Sequence, residues 1–152
     1  MRVEFFKPSE KRALCAWVAT RAKRTVVLGP TMAAGKDLPH DLAQYVIEAT
    51  TGYERGCWGL LAAGATFRST RRRRTKQGRA LIAVNRQALV DSEVLAGAHL
   101  AAWRRRDPTP VTAALDAALA HWRALGIGER LVFEWPAPTG TVEHRTDRAG
   151  YG

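Results

Sequence analysis

Apolar and polar positions alternate in four short runs of this chain, and between those runs the apolar positions recur with helical spacing. Val3-Glu4-Phe5-Phe6 alternates and stops before Pro8, which lacks the N–H a central strand needs. Residues 13–20, with Leu14, Cys15, Trp17 and Val18, suit a pleated surface and predict a second strand. Thr25-Val26-Val27-Leu28 is β-branched and ends at the breaker pair Gly29-Pro30. Three short strands with short connections predict an antiparallel meander. Near the other end, Leu131, Phe133 and Trp135 alternate with Val132 and Glu134, which predicts a strand with one buried face.

The period then shifts from two to 3.6. Pro39 suits a first helical position, and Leu42, Tyr45, Val46 and Ala49 follow on one face before Gly52. Residues 57–67 are apolar nearly all round and predict a buried helix, with Gly59 and Ala63 allowing close approach. Residues 80–84 fit a strand or a helix start. Residues 89–106 predict a long helix with two adjoining stripes, Leu89/Ala96/Leu100/Trp103 and Val90/Val94/Gly97/Ala101, stopped by Asp107-Pro108. Thr109 reads as an N-cap with Pro110 behind it, opening a helix that buries Val111, Leu115, Ala118, Trp122 and Leu125 and ends at Gly126. The fold class is therefore α+β: an N-terminal three-stranded antiparallel meander joined by the C-terminal strand, with about four helices packed on one face. Residues 1–135 form a single domain, and the polar, turn-rich residues 136–152 read as a tail.

Composition adds one thing the pattern lacks. A chain of 152 residues with 46% apolar content and five Trp suits one core. Its charged fraction of 25% is ordinary, but its formal charge of +10 is not. Seven of those charges, Arg68, Arg71, Arg72, Arg73, Arg74, Lys76 and Arg79, stand in the run 68–79, which contains no acid. The body outside the run is close to neutral. Cys15 and Cys57 make no disulfide framework. The N-terminus lacks an apolar signal region, and the longest uncharged stretch, residues 56–67, is too short to span a bilayer. The expectation is a reduced, cytoplasmic protein with no membrane partner.

The basic run would track the phosphate backbone of RNA or DNA, releasing counterions as it binds. It holds no aromatic residue for base stacking, so it would position rather than read sequence. Arg104, Arg105 and Arg106 would extend the patch if the fold brings them near. The leading expectation is a noncatalytic nucleic-acid or ribonucleoprotein binder without a cofactor; the plain alternative is a solvated, disordered loop.

A second constellation sits on the helix after Pro39. His40, Gln44 and Glu48 are spaced by four residues, form one ridge, and would present ligands to a divalent metal. That ridge predicts a metal-dependent hydrolase, although Gln44 is a poor zinc ligand. Asp41 and Glu48 would serve as acid and base, with no nucleophile supplied. The alternative is a solvated polar face whose Asp41 complements the helix N-terminus. Glu93 falls between the two apolar stripes of its helix. It is either a further acid of that site or an ion-pair partner of Arg86 or Arg130. The segment from Gly29 to Gly35-Lys36-Asp37 imitates a phosphate loop, but the spacing is one too long and Asp37 replaces the hydroxyl residue, so it reads as an ordinary loop. A third possibility is a scaffold or accessory protein whose partner covers an exposed apolar patch.

L-P-H-D-L-A-Q-Y-V-I-E at residues 38–48, G-C-W-G-L-L-A-A-G-A-T-F at 56–67, and A-H-W-R-A-L leading into L-V-F-E-W resemble a family of small proteins common in actinobacteria. The first two segments are the distinctive ones. Members of that family often carry His where this chain has Gln44, which weakens a metal role here. The resemblance implies no particular activity.

Overall fold

The structure, a computed structural model, describes residues 1–34, 37–136 and, for the backbone, 145–148. The elements run β1 (Arg2–Phe6), β2 (Leu14–Thr20), β3 (Val26–Leu28), β4 (Met32–Ala33), α1 (His40–Thr51), α2 (Cys57–Ala63), α3 (Lys76–Val84), α4 (Arg86–Arg104), α5 (Pro110–Ala124), β5 (Glu129–Glu134) and β6 (Arg145–Arg148). The sheet is antiparallel in the order β3-β2-β1-β5-β6, so the last strands join the meander through β1 as the pattern predicts. No helix among the described residues is long and apolar enough to cross a membrane.

Alternation places Val3, Phe5, Trp17, Ala19, Leu131 and Phe133 on the face that α1 and α5 cover, all of them buried. Edge-on aromatic contacts tie the layers together. Trp58 of α2 stands 4.8 Å from Trp17, 5.3 Å from Tyr45 and 5.6 Å from Phe5 between ring centroids. The Tyr45 hydroxyl donates to the Glu134 carbonyl at 2.9 Å, so this ring is anchored at its polar end as well. The opposite face of the sheet carries the Arg130–Glu4 ion pair at 2.6 Å.

Three details depart from expectation, and the open choice at residues 80–84 falls to helix. β4 continues along the same edge of β2 as β3 but one residue out of register, across Gly29-Pro30. Gly29 is required there because a Cβ would stand 2.1 Å from the Trp17 indole. The helix from Cys57 stops at Ala63, because Gly64 turns left-handed (φ 110°) and ends it, rather than continuing to residue 67. Residues 80–84 are helical, as the second half of α3. Within the stretch read as a tail, 145–148 pair with β5 as an edge strand; strand pairing is decided by the neighbour across the ladder, which a short polar segment does not announce. The remainder of that stretch, 137–144 and 149–152, and Gly35-Lys36 of the loop after β4 lie outside the described residues.

α4 also faces differently. Its buried line is Ala88, Ser92 and Ala96, small side chains that let the helix lie close to α1, while Val90 and Val94 are 50% and 68% exposed. A long helix with apolar residues over two stripes can bury only the one that meets neighbours.

The two glycines give opposite expectations. Gly29→Ala drives a methyl group into a buried indole and lowers stability by about 3 kcal/mol, whereas Gly97→Ala on the open side of α4, with nothing within 4 Å of the new Cβ, raises it by about 0.5–1 kcal/mol. Urea unfolding midpoints of the two variants check both signs.

Candidate nucleic-acid interface

The basic run is fastened to the body by its threonines and glycine. Thr66 is buried, and its hydroxyl accepts from the Thr75 amide at 3.2 Å. The buried Thr70 donates through both its amide and its hydroxyl to the Phe67 carbonyl, at 3.3 and 2.9 Å. Thr75 is the N-cap of α3 and accepts from the Gly78 amide at 2.9 Å. Gly78 lies so close to Thr66 that a Cβ would meet its hydroxyl at 2.4 Å. Between these pins the chain runs along β3. The Arg71 amide donates to the Leu28 carbonyl at 2.9 Å and the Arg72 guanidinium to the Val26 carbonyl at 3.2 Å. Both carbonyls belong to a sheet edge, so the run also covers that edge. The run thus lies along β3 as a strap and becomes helix at Lys76, unlike the disordered loop of the alternative reading.

The cations point the other way. Arg68, Arg71, Arg72, Arg73, Arg74, Lys76 and Arg79 are all exposed. Among the described residues the ion pairs are Arg2–Glu4, His40–Asp41, Arg105–Asp107 and Arg130–Glu4, and none involves the run. More positive charge adjoins it. Burial, and next the nearby Arg72, push the Arg21 guanidinium below its ordinary value. Two residues on, Lys23 and Arg24 form a tight turn into β3 with left-handed backbones, φ 60° and 57°. Such a conformation costs about 1 kcal/mol or more per non-glycine residue. The turn therefore holds two exposed cations at a site where Asn and Gly would be less strained.

Arg86, at the start of α4, joins Arg68, Arg74 and Arg79 around a cleft of about 580 Å³ that also shows Phe67 and Ile82. From the sequence, Arg86 entered only as a candidate partner of Glu93 and Phe67 only as the end of an apolar segment; neither was assigned to the positive surface. The available signals were the adjacency of Phe67 to Arg68 and the helical reading of residues 80–84, which puts Arg79 and Arg86 at the two ends of one short segment. Arg104 and Arg106 do not extend the patch. They line a separate groove with Trp103, Asp116 and Arg123 at the far end of α4, about 27 Å from Arg86 at 1.5 Å per residue; Arg105 pairs with Asp107 at 2.8 Å.

The second constellation has a different character from the solvated ridge expected. Gln44 and Glu48 are buried, while His40 stays exposed at the start of α1. Glu48 reaches the first turn of α2. Its Oε1 accepts from the Cys57 amide at 3.0 Å and its Oε2 from the Trp58 amide at 3.0 Å. The Ser92 hydroxyl donates to Oε1 at 2.8 Å and the Gln44 amide at 3.1 Å. The carboxylate satisfies amide groups that α2 leaves open at its start and complements its dipole. Gly56 makes room for it, since a Cβ there would stand 2.3 Å from Oε1. Burial pushes the Glu48 carboxyl above its ordinary value, against the pull of these hydrogen bonds.

Asp41 accepts from the Trp17 indole at 2.8 Å and lies 3.2 Å from His40 Nδ1, fixing the start of α1 to β2. Glu93 is exposed and accepts from the Gln44 amide at 3.0 Å; it pairs with neither Arg86, which lines the cationic cleft, nor Arg130, which pairs with Glu4. Its helical position lies beside the Val90/Val94 stripe, and because that stripe faces solvent, no buried charge arises. No group of three or more His, Cys, Asp or Glu side chains with metal-holding geometry occurs among the described residues. Burial, with the charges of Glu48, Asp41 and Glu93 added, pushes the Cys57 thiol up, away from the thiolate a nucleophile needs.

Removing the Glu48 carboxylate leaves amides of α2 and the Ser92 hydroxyl without their acceptor. Glu48→Ala therefore lowers unfolding free energy by about 3 kcal/mol, read from denaturant melts. The hydrogen bond to Asp41 raises the His40 imidazole above its ordinary value despite partial burial, with the charges of Asp41 and Glu93 adding to it. A folded-state value above the unfolded one means the stabilisation is complete below about pH 6.5 and fades as pH rises through the raised value. An NMR titration should place the His40 midpoint above about 6.5, and Asp41→Asn, which keeps an oxygen for Trp17, should bring it down.

Compared with known proteins, the chain matches no family model, no curated protein and no solved structure.

Proposed function

We propose that this protein is a noncatalytic nucleic-acid or ribonucleoprotein binder that contacts the phosphate backbone of RNA or DNA through residues 68–79. The observation that carries the reading is the combination of seven exposed cations, no carboxylate partner for any of them among the described residues, and a strap pinned by buried threonines. Like charges held side by side raise the energy of the free protein, and a polyanion relieves that repulsion as its counterions are released. Pinning matters for the same reason. A strap with a pinned backbone loses less backbone freedom on binding than a disordered one. The exposed Lys23 and Arg24 beside the strap enlarge the same positive surface. Phosphate contacts of this type set position and affinity with little preference for sequence.

Binding should be measurable by fluorescence anisotropy at low salt and should weaken steeply as salt is added. Replacing Arg71, Arg72, Arg73 and Arg74 together by Ala abolishes it or, where weak binding survives, lowers the slope of log affinity against log salt by about 3. Circular dichroism should show the variant folded, since the pins at Thr66, Thr70 and Thr75 remain. Absence of binding to both RNA and DNA at low salt would remove this function.

A further inference from the structure

The strap and the two helices that follow it leave more than a flat positive surface. Arg68 and Arg74 from the strap, Arg79 from α3 and Arg86 from the start of α4 line one cleft of about 580 Å³, and no acidic residue lines it. Phe67 and Ile82 supply an apolar wall. Phe67 is half-buried and packs on the core, so its ring is held in place while part of it faces the cleft.

A cleft of that size suits a mononucleotide-sized ligand. An internal phosphodiester carries one negative charge, whereas a terminal phosphomonoester carries close to two near neutral pH, as it does on a phosphorylated side chain. Four guanidinium groups drawn together without an acid match the larger charge better, and guanidinium forks suit the several oxygens of a monoester. A wall containing a phenyl ring gives the attached base a surface to stack on.

We propose that this cleft receives the phosphomonoester end of a nucleic-acid strand or a free nucleoside monophosphate, the phosphate among Arg68, Arg74, Arg79 and Arg86 and the base against Phe67. For a strand end the proposal rests on the nucleic-acid reading above and narrows it from any stretch of backbone; for a free mononucleotide it stands on the cleft alone.

The test uses one short single strand with an internal fluorophore, prepared with a 5′-phosphate, with a 3′-phosphate, or with hydroxyls at both ends. One phosphorylated form should bind about tenfold more tightly than the hydroxyl form at the same salt. Arg86→Ala, which lies outside the strap, and separately Arg79→Ala should each erase that difference. Equal affinity for all three strands overturns the cleft proposal and leaves backbone binding by the strap standing. In a parallel NMR titration with adenosine monophosphate, shifts lost in Arg86→Ala without any strand binding support the cleft as a nucleotide site while removing the polymer reading. No response to the strands or to the mononucleotide overturns both.

Discussion

One buried carboxylate organises the helical layer. Glu48 leaves α1, caps the first turn of α2 through the Cys57 and Trp58 amides, and takes the Ser92 hydroxyl of α4. An isolated charge in that place would be costly, and here four donors offset much of the cost. Fixing α2 in this way sets Trp58 among Phe5, Trp17 and Tyr45, so a polar contact determines how the apolar core closes. It also fixes the point from which the chain departs toward the strap. The Arg21 guanidinium, donating to the Leu61 carbonyl at 3.3 Å, holds the other end of α2.

The positive surface follows from that frame. Charge alone does not make a surface, because seven cations on a free segment would spread apart. Here Thr66, Thr70 and Gly78 turn inward, Thr66 and Thr70 bond local backbone groups, and the long side chains project. The division of labour is written in residue size. Thr66 and Thr70 fit under the strap, and the arginines do not.

The fold was largely legible because it depends on period. Alternation at Val3/Phe5 and Leu131/Phe133 marks which side of the sheet is buried, and the Leu42/Tyr45/Val46 spacing marks the inner face of α1. What stayed hidden depends on partners remote in sequence. Gln44 and Glu48 look like a solvated ridge from their own helix, and only the arrival of α2 and Ser92 makes them interior. Residues 145–148 have no apolar alternation, and β5 recruits them. The basic run was visible as composition, but its attachment was not, since a Thr in an arginine-rich segment looks the same whether it caps a helix or only faces water. Arg86 came to the cleft through a helix separated from α3 by the single residue Asn85, a turn that local pattern does not forecast.

The spacing of the pins has a consequence for how the strap can change. Thr70 and Thr75 are both held, so the four residues between them bridge a fixed gap. Their side chains are free to be exchanged, and the charge density of this surface can drift over a wide range with the scaffold intact. Their number is not free. One residue more or fewer would turn Gly78 away from Thr66 and unseat α3, so this stretch can be recharged readily but not resized.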